Sequence, residues 1–195
     1  NLYRAAVEHL DYCTGLLLDE LAALGLDEKT LVVFTSDNGA AARFGGSNLP
    51  LRGGKGTKWE GGFRVPCVAR WPGTIPSGTT CRELVTAMDF LPTFAHLTAG
   101  EPPHDRAIDG CDVSSLLADP ARARTPHEAF FYYQEGKLAA VRHGRWKLHL
   151  DEDLLFDLET DAAEERDVFA QRGEVVQSLR ALAQRCRADI GDDRV

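Results

Sequence analysis

The feature that most constrains this chain is an apolar run that ends abruptly in polar residues. Leu31–Thr35 is followed directly by Ser36, Asp37, Asn38 and Gly39. A short, β-rich apolar run of this kind predicts a buried strand. In α/β sheets, ligands bind beyond the carboxyl ends of strands. Asp37 and Asn38 occupy that position, and their hard oxygen atoms suit Ca²⁺ or Mg²⁺ better than softer metals.

A glycine-rich segment, Arg52–Gly62, follows with glycine at positions 53, 54, 56, 61 and 62 and Lys55 in its midst. Glycine lets a backbone approach an anion closely, and lysine supplies a compact positive charge. Oxygen ligands for a metal, together with a lysine on a flexible loop, predict a site for sulfate, phosphate or phosphonate.

Each motif alone is also typical of a simpler structure. Asp-Asn-Gly is common in turns, and a Gly-Lys segment is common in mobile surface loops. Lys55 is followed by Gly56, where a P-loop requires Ser or Thr, and no G-x-G-x-x-G is present. A nucleotide-binding domain is therefore not supported.

The charge, the length of the apolar runs and the cysteine spacing of the chain argue against several classes of partner and site. The net charge of −8 argues against binding to a nucleic-acid backbone, and no apolar run approaches the ~18 residues that a membrane span needs. The five cysteines form no C-x-x-C pair, so a zinc site or redox motif is not expected. Most of them are expected to be buried thiols, and the sequence also leaves one disulfide bond as an alternative.

Apolar periodicity predicts the elements around the motifs. Residues 2–24 are expected to form an amphipathic helix capped by Gly25, and residues 65–71 a strand that begins near Pro66. Asp89 is a plausible N-cap of a later helix, with Pro92 in its first turn.

The C-terminal third has a different pattern. It predicts four short strands over 130–133, 138–142, 146–150 and 154–158, with Gly144 in a hairpin turn, and a final helix over 172–188. His143 and His149 near the third strand are interpreted as surface residues. The predicted organisation is a core over 1–105, a linker over 106–128 and an antiparallel-sheet-plus-helix subdomain over 129–195.

Several segments, in this order, resemble the type I sulfatases, the arylsulfatase-like members of the alkaline phosphatase superfamily. They are Thr35–Gly39, Gly54–Thr57, Trp59–Pro66, Arg70–Gly73, Asp89–Thr93, Trp146–Leu148 and Leu155–Leu158. The resemblance implies an α/β fold. It would comprise the C-terminal part of a mixed or parallel sheet flanked by helices, plus a small α+β subdomain with a four-stranded antiparallel sheet and a C-terminal helix.

The resemblance also implies roles for individual residues. Asp37 and Asn38 would be two of the ligands of Ca²⁺, with Mg²⁺ the less expected metal. Lys55 would contact the sulfate group and act in catalysis. Lys58 would be a second substrate-binding lysine, although the family often has an uncharged residue there. For Arg64 we expect a structural ion pair, and for Thr57 and Glu60 a structural role.

The family's nucleophile is a formylglycine made in a Cys/Ser-x-Pro-x-Arg motif, which this sequence does not contain. The chain therefore resembles the C-terminal portion of a longer enzyme. Alone, it is expected to bind Ca²⁺ weakly, to show no turnover, and to need a companion N-terminal segment or self-association to cover apolar surface.

The resemblance implies a sulfated small molecule or carbohydrate as substrate and a periplasmic or secreted location. Two alternatives stay open at this point. One is a phosphonate or phosphodiester hydrolase of the same superfamily. The other is a non-catalytic truncated module that binds a partner or an anion without chemistry.

Overall fold

The computed structural model describes residues 2–190. Its helices are α1 (Leu2–Ala23), α2 (Glu60–Phe63), α3 (Phe90–Leu97), α4 (Ser114–Ala118) and α5 (Gly173–Ile190). Its strands are β1 (Val32–Thr35), β2 (Cys67–Arg70), β3 (Phe130–Gln134), β4 (Lys137–His143), β5 (Trp146–His149) and β6 (Leu154–Asp157). None of the helices within these residues is both long and apolar enough to cross a membrane.

The chain divides into two compact units, each built from two separate stretches of sequence. The first contains the residues up to Phe34 and Cys67–His127, and the second contains Thr35–Pro66 and the residues from Glu128 onward. The predicted boundaries at 105 and 128 follow the chain in order. The structure instead groups both candidate motifs with the C-terminal segment, so each unit is described by itself.

In the first unit, α1 is the predicted helix. Gly25 adopts a positive φ of 67° after its end, and the backbone nitrogen of Leu26 donates to the oxygen of Leu21 at 2.9 Å. Both features belong to a left-handed C-terminal cap, so the predicted role of Gly25 is confirmed. No residue of α1 is buried, and Leu10 and Leu17 are 52% and 58% exposed. The periodicity predicted the helix correctly, but its apolar face is uncovered in residues 2–190.

Strands β1 and β2 form a two-stranded sheet. The prediction of a buried strand at 31–35 is wrong for this structure, because the residues of β1 are half-buried or exposed. Within the described residues β1 has only β2 as a neighbour, and a two-stranded sheet buries little surface. Strand β2 begins directly after Pro66, as predicted.

Asp89 is the N-cap residue of α3, as predicted, but its side chain makes no capping hydrogen bond to this helix. The Asp89 carboxylate is fully buried and accepts hydrogen bonds from the backbone nitrogens of Thr86 (2.7 Å) and Cys111 (2.9 Å). His127 Nε2 lies 2.8 Å from the same carboxylate. Pro92 lies in the first turn of α3, as predicted. Asp89 therefore joins three separate parts of this unit.

The segment 106–128 is more ordered than the predicted linker. It contains α4, and the backbone nitrogen of Val113 donates to Thr93 Oγ1 of α3 at 3.0 Å. With the bond from Cys111 to Asp89, these contacts hold the segment against α3. Proline punctuation concealed this, because the contacts involve residues about twenty positions apart.

The second unit contains the predicted antiparallel sheet in the order β3-β4-β5-β6, with α5 packed on it. Gly144, between β4 and β5, has a φ of 55° and supplies the predicted turn. The paired residues Val141, Leu148 and Leu155 form one row across the sheet and join the buried face of α5. These observations confirm the predicted α/β class with its antiparallel subdomain.

The cysteines differ from expectation. All five are free thiols in the structure, and only Cys186 of α5 is buried. Cys13, Cys67 and Cys81 are exposed, so the prediction that most cysteines are buried is wrong. Cys13 lies on α1, and no residue of this helix is buried in the described structure.

Candidate functional site

Asp37 and Asn38 follow β1 and belong to the second unit. The Asp37 carboxylate is exposed and makes no hydrogen bond or ion pair with any residue in 2–190. Asn38 Oδ1 is buried and accepts no hydrogen bond from the described residues. A buried carbonyl oxygen without a donor is costly, because it has lost water and gained nothing in exchange. The Asp-Asn pair therefore presents two oxygen atoms that can still bind a cation.

The backbone after Asn38 is joined to the glycine-rich loop. The nitrogen of Gly39 donates to the oxygen of Gly62 at 3.0 Å, and the nitrogen of Lys55 donates to the oxygen of Ala40 at 3.3 Å. The Asn48 amide completes the connection, since its Oδ1 accepts from the nitrogen of Ala40 and its Nδ2 donates to the oxygen of the same residue. The two motifs, which are separated in sequence, thus form one structure.

Glycine is needed where these two segments touch. A Cβ at Gly39 would lie 1.7 Å from the oxygen of Gly61, and a Cβ at Gly62 would lie 2.2 Å from the oxygen of Thr57. Neither clash can be relieved by moving a flexible side chain, because both partners are backbone atoms. The sequence suggested that glycines let an anion approach. The structure shows that Gly39 lets the segment after β1 approach the loop, whereas Gly62 lets the loop fold closely onto itself.

Lys55 is exposed in this loop, and its amine forms no hydrogen bond or ion pair with a described residue. Thr57 Oγ1 donates to the oxygen of Gly54 (2.8 Å) and accepts from its nitrogen (3.1 Å), which closes the turn that contains Lys55. This is the structural role predicted for Thr57. Two surface concavities meet at Thr57: Lys55 lines one, and Asp37 and Asn38 line the other.

Lys58 is placed differently from Lys55. Its side chain is almost fully buried, 6% exposed for the residue, and its amine pairs with the carboxylates of Glu152 and of Asp151 (3.6 Å). Burial raises the pKa of Glu152, but the hydrogen bond and charge of Lys58 outweigh it, so the pKa lies below its usual value. The structure therefore favours a structural role for Lys58 over the predicted substrate contact.

A buried network of charges lies beneath the same loop. Glu60 Oε1 accepts from Lys147 Nζ at 3.0 Å and from the Tyr132 hydroxyl at 2.9 Å. Lys147 Nζ also lies 3.0 Å from Glu164 Oε1. Glu60, Lys147 and Glu164 are at most 1% exposed. The ion pair of Glu60 agrees with the structural role predicted for it.

His149 belongs to this network, so its interpretation as a surface residue is wrong. Its ring is fully buried and packs against Trp59 at a centroid distance of 4.2 Å, with the two ring planes tilted by 34°. Its Nε2 donates to Glu164 Oε1 at 2.8 Å. Burial lowers the pKa of His149, and the charge of Lys147 lowers it further, against the opposing effect of Glu164. Burial raises the pKa of Glu164, but the bond from His149 and the charge of Lys147 bring it below its usual value.

Sequence reasoning missed Lys147 and Glu164. On β5 the side chains alternate, so Leu148 joins the apolar core while Lys147 and His149 point to the opposite face. A lysine on such a face is expected to reach solvent, and only its partners at positions 60 and 164 explain its burial. Arg64 was also misjudged, because it is exposed and forms no ion pair within residues 2–190.

The oxygen atoms of Asp37 and Asn38 fit a hard cation. Within residues 2–190 no group of three or more His, Cys, Asp or Glu could hold a metal. The pair thus offers one carboxylate and one amide oxygen, which suits Ca²⁺ or Mg²⁺ but not zinc.

Two family models match the chain. One, described as Sulfatase, matches residues 1–101, and the other, described as N-sulphoglucosamine sulphohydrolase, C-terminal, matches residues 54–189. The chain belongs to the sulfatase family. The two models together cover nearly all of its length and include every candidate residue discussed above.

This sulfatase chain is similar to curated proteins and to solved structures. It is 46% identical over 148 residues to steryl-sulfatase of Mus musculus, covering 72% of this chain and 24% of that protein. It is 41% identical over 152 residues to N-acetylgalactosamine-6-sulfatase of Mus musculus, covering 76% and 29%. The structure of Ps i-CgsB in complex with k-i-k-neocarrahexaose is 30% identical, with a TM-score of 0.81, covering 91% of this chain and 41% of that one.

The sulfatase chain thus spans about a quarter to two fifths of the length of these three proteins. The matched portion is the C-terminal one, as the sequence motifs predicted.

Proposed function

We propose that this chain provides the Asp37–Asn38 metal ligands and the Lys55 sulfate contact of an enzyme that hydrolyses a sulfate ester. One observation supports this more than any other. Asn38 Oδ1 is buried without a donor beside the exposed Asp37 carboxylate, and both line a concavity that adjoins the loop of Lys55. In a chain of the sulfatase family, oxygen atoms and an amine without protein partners are best explained by a cation and a sulfate group that bind to them.

Asp37 and Asn38 would hold a divalent cation, with Ca²⁺ proposed ahead of Mg²⁺. When bound, such a cation draws negative charge from the sulfate oxygens. Asp37 contributes a full negative charge that holds the cation. Asn38 contributes a neutral oxygen whose burial fixes its direction. The hydrogen bond from Gly39 to Gly62 keeps both residues next to the Lys55 loop.

Lys55 would stabilise negative charge on a non-bridging sulfate oxygen or on the leaving oxygen. Its amine is free for this role because no described carboxylate pairs with it. A preorganised donor of this kind contributes about 10²- to 10³-fold to turnover. The nucleophile is proposed to be a formylglycine supplied from outside the 195 residues, which contain no Cys/Ser-x-Pro-x-Arg motif.

The proposed substrate is a sulfated small molecule or carbohydrate. Support comes from the names of the similar proteins, one a steryl-sulfatase and one an N-acetylgalactosamine-6-sulfatase, and from the carbohydrate in the Ps i-CgsB structure. The concavity beside Asp37 also includes Tyr133, Gln134 and Glu135 of the β3–β4 hairpin. Polar and aromatic groups at this position suit a hydroxylated organic group.

The test uses the full-length gene product that contains this chain. We expect it to hydrolyse an aryl sulfate, to lose activity in a chelator and to recover with added Ca²⁺. Lys55→Ala should lower kcat strongly, whereas Lys137→Ala, which removes an exposed lysine from the start of β4, should not. Hydrolysis of phosphonate or phosphodiester but not sulfate esters would overturn the proposal. Equal effects of the two lysine variants would overturn the role of Lys55.

A further inference from the structure

Glu164 contacts both ends of the loop that contains Lys55. Its backbone oxygen accepts a hydrogen bond from Arg52 Nη1 at 3.2 Å, and its Oε2 accepts one from the backbone nitrogen of Glu60 at 2.7 Å. We propose that Glu164 is a positioning residue, which fixes this loop and thereby sets where Lys55 meets the sulfate group. The catalytic consequence rests on the proposed function, whereas the position of the loop does not.

The backbone of Glu164 is in an unusual conformation. Its φ is 55°, a left-handed value that glutamate rarely adopts. The turn is held by Asp161, whose carboxylate accepts from the nitrogens of Glu165 (3.0 Å) and Arg166 (2.9 Å). Strained conformations persist where the surroundings fix them, and they concentrate at functional sites. Here the strain lets one buried residue present both its backbone oxygen and its carboxylate to the loop.

The other oxygen of the carboxylate is anchored to the sheet. Glu164 Oε1 lies 3.0 Å from Lys147 Nζ and 2.8 Å from His149 Nε2, and both partners belong to β5. Strand β5 lies between β4 and β6, so it is a central strand of the sheet. Glu164 therefore links a rigid element to a loop. With these bonds its carboxylate has partners for both oxygen atoms.

The loop transmits this position to the candidate site. The nitrogen of Gly61 donates to the oxygen of Arg52 at 2.8 Å, which closes the base of the loop. Next to it, the oxygen of Gly62 accepts from Gly39, the residue after Asn38. A shift at Glu60 would therefore move the Lys55 loop relative to Asn38. A misplacement of about 1 Å can lower turnover about 100-fold.

The competing explanation is that Glu164 only stabilises the fold. The matched control is Asp167→Asn, which removes a carboxylate from the same segment. Asp167 accepts from the backbone nitrogens of Leu155 (3.0 Å) and Phe169 (2.8 Å), and neither belongs to the loop. Both variants lose one charge and weaken hydrogen bonds to backbone. Only Glu164→Gln should affect the position of Lys55.

The first measurement is the rate at which trypsin cleaves after the exposed Lys55 in the full-length protein that contains this chain, followed by mass spectrometry under conditions where each variant is folded by circular dichroism. We expect Glu164→Gln to raise this rate about tenfold or more, because the loop loses a charged acceptor for Glu60. Asp167→Asn should leave the rate within about twofold of wild type. Arg52→Met removes the bond to the Glu164 backbone and also the contact of the guanidinium with the Trp59 ring, 3.7 Å away. It should raise the cleavage rate in the same direction if Glu164→Gln does not fold.

The second measurement is steady-state hydrolysis of an aryl sulfate by the full-length protein. We expect Glu164→Gln to lower kcat about 100-fold with a smaller change in KM, since a displaced Lys55 acts mainly on the reacting group. Equal trypsin rates and equal kcat values for Glu164→Gln and Asp167→Asn would overturn the inference. Absence of sulfate-ester hydrolysis in the wild type would reject the proposed function, and the trypsin rates would still decide whether Glu164 fixes the loop.

Discussion

The buried charges around Glu164 and the exposed polar groups around Asp37 lie in the same compact unit but differ in how their hydrogen-bonding capacity is used. Glu60, Lys147 and Glu164 are each bonded to one another or to the loop. Asp37 and Lys55 have no described partner, and Asn38 Oδ1 is buried without one. Buried polar groups that are bonded to one another hold a structure together, whereas a buried oxygen without a donor, such as Asn38 Oδ1, calls for an explanation such as a ligand. The comparison supports a structural role for the first group and is consistent with the ligand binding proposed for the second.

The largest effect on stability should come from breaking the buried network of Glu60, Lys147 and Glu164. Lys147→Met keeps the length of the side chain but removes the buried cation shared by Glu60 and Glu164. Glu60 then keeps only the longer ion pair with Arg142 (3.8 Å), and Glu164 keeps only hydrogen bonds. We expect the free energy of unfolding to fall by about 3–5 kcal/mol, measured by urea denaturation of the 195-residue chain. Lys137→Met, at an exposed lysine on β4, is the control and should change it by about 0.5 kcal/mol or less. A small loss for Lys147→Met would mean that the network contributes little to stability.

A change at Lys55 should have the opposite pattern, with little effect on stability and a large effect on turnover. Lys55→Ala is expected to leave the free energy of unfolding within about 0.5 kcal/mol of wild type, because the side chain is exposed and unpaired. In the full-length protein it should lower kcat about 10²- to 10³-fold. Urea denaturation and aryl-sulfate kinetics on the same variant separate the two quantities. A large loss of stability would show that Lys55 has a structural partner after all.

As the pH falls, the buried network should first lose stability through protonation of His149. Its pKa is lowered in the folded state from the ordinary 6.5, so the unfolded chain binds more protons as the pH falls below that value. The stabilisation by neutral His149 is complete above pH 6.5 and is lost between 6.5 and its lowered pKa. Over that range the free energy of unfolding should fall by at most about 1.4 kcal/mol per pH unit. Glu164 adds a further loss only below its ordinary 4.5.

The measurement is urea denaturation at a series of pH values for wild type and His149→Gln, which keeps a donor near Glu164 but does not titrate. We expect the variant to show a shallower dependence on pH between 7 and 5. His104→Gln, at an exposed histidine, should match the wild type. Identical slopes for all three proteins would contradict the assignment of the acid sensitivity to His149.

The smallest effect should come from the metal ligands in the 195-residue chain. Two oxygen ligands predict weak Ca²⁺ binding, so the midpoint of thermal unfolding should rise only at millimolar Ca²⁺. Asp37→Asn should reduce even this rise by removing the charged ligand. The same chain is expected to show no turnover of an aryl sulfate. Substantial turnover would show that its own residues supply a nucleophile and would contradict the proposed formylglycine.

Sequence patterns predicted those parts of the fold that depend on neighbours in the chain. The faces of α5, the turn at Gly144 and the cap at Gly25 follow from residues within a few positions of one another. Burial was less predictable, because it depends on what covers a face. Helices α1 and α5 both have apolar periodicity, but only α5 has buried residues in the described structure.

The candidate site divides in the same way. Asp37, Asn38 and Lys55 belong to compact motifs that could be recognised together. Glu164 contacts Glu60 across 104 positions, and Lys147 contacts Glu60 across 87, so no local spacing connects them. The surface interpretation of His149 was wrong for the same reason, and the burial of Lys58 could not be foreseen either. A polar residue in a loop or at a strand end is usually solvated, and only a distant partner reverses that expectation.

The long separation between Glu60 and Glu164 has a consequence for biosynthesis. A ribosome adds about 5–20 residues per second, so the loop emerges roughly 5–20 s before the glutamate that braces it. For most of that interval the nascent loop also lacks Lys147 of β5, and it is accessible to proteases and chaperones. A chain released before Glu164 would retain every residue of the Asp37 and Lys55 motifs and still lack the contacts that hold them in place.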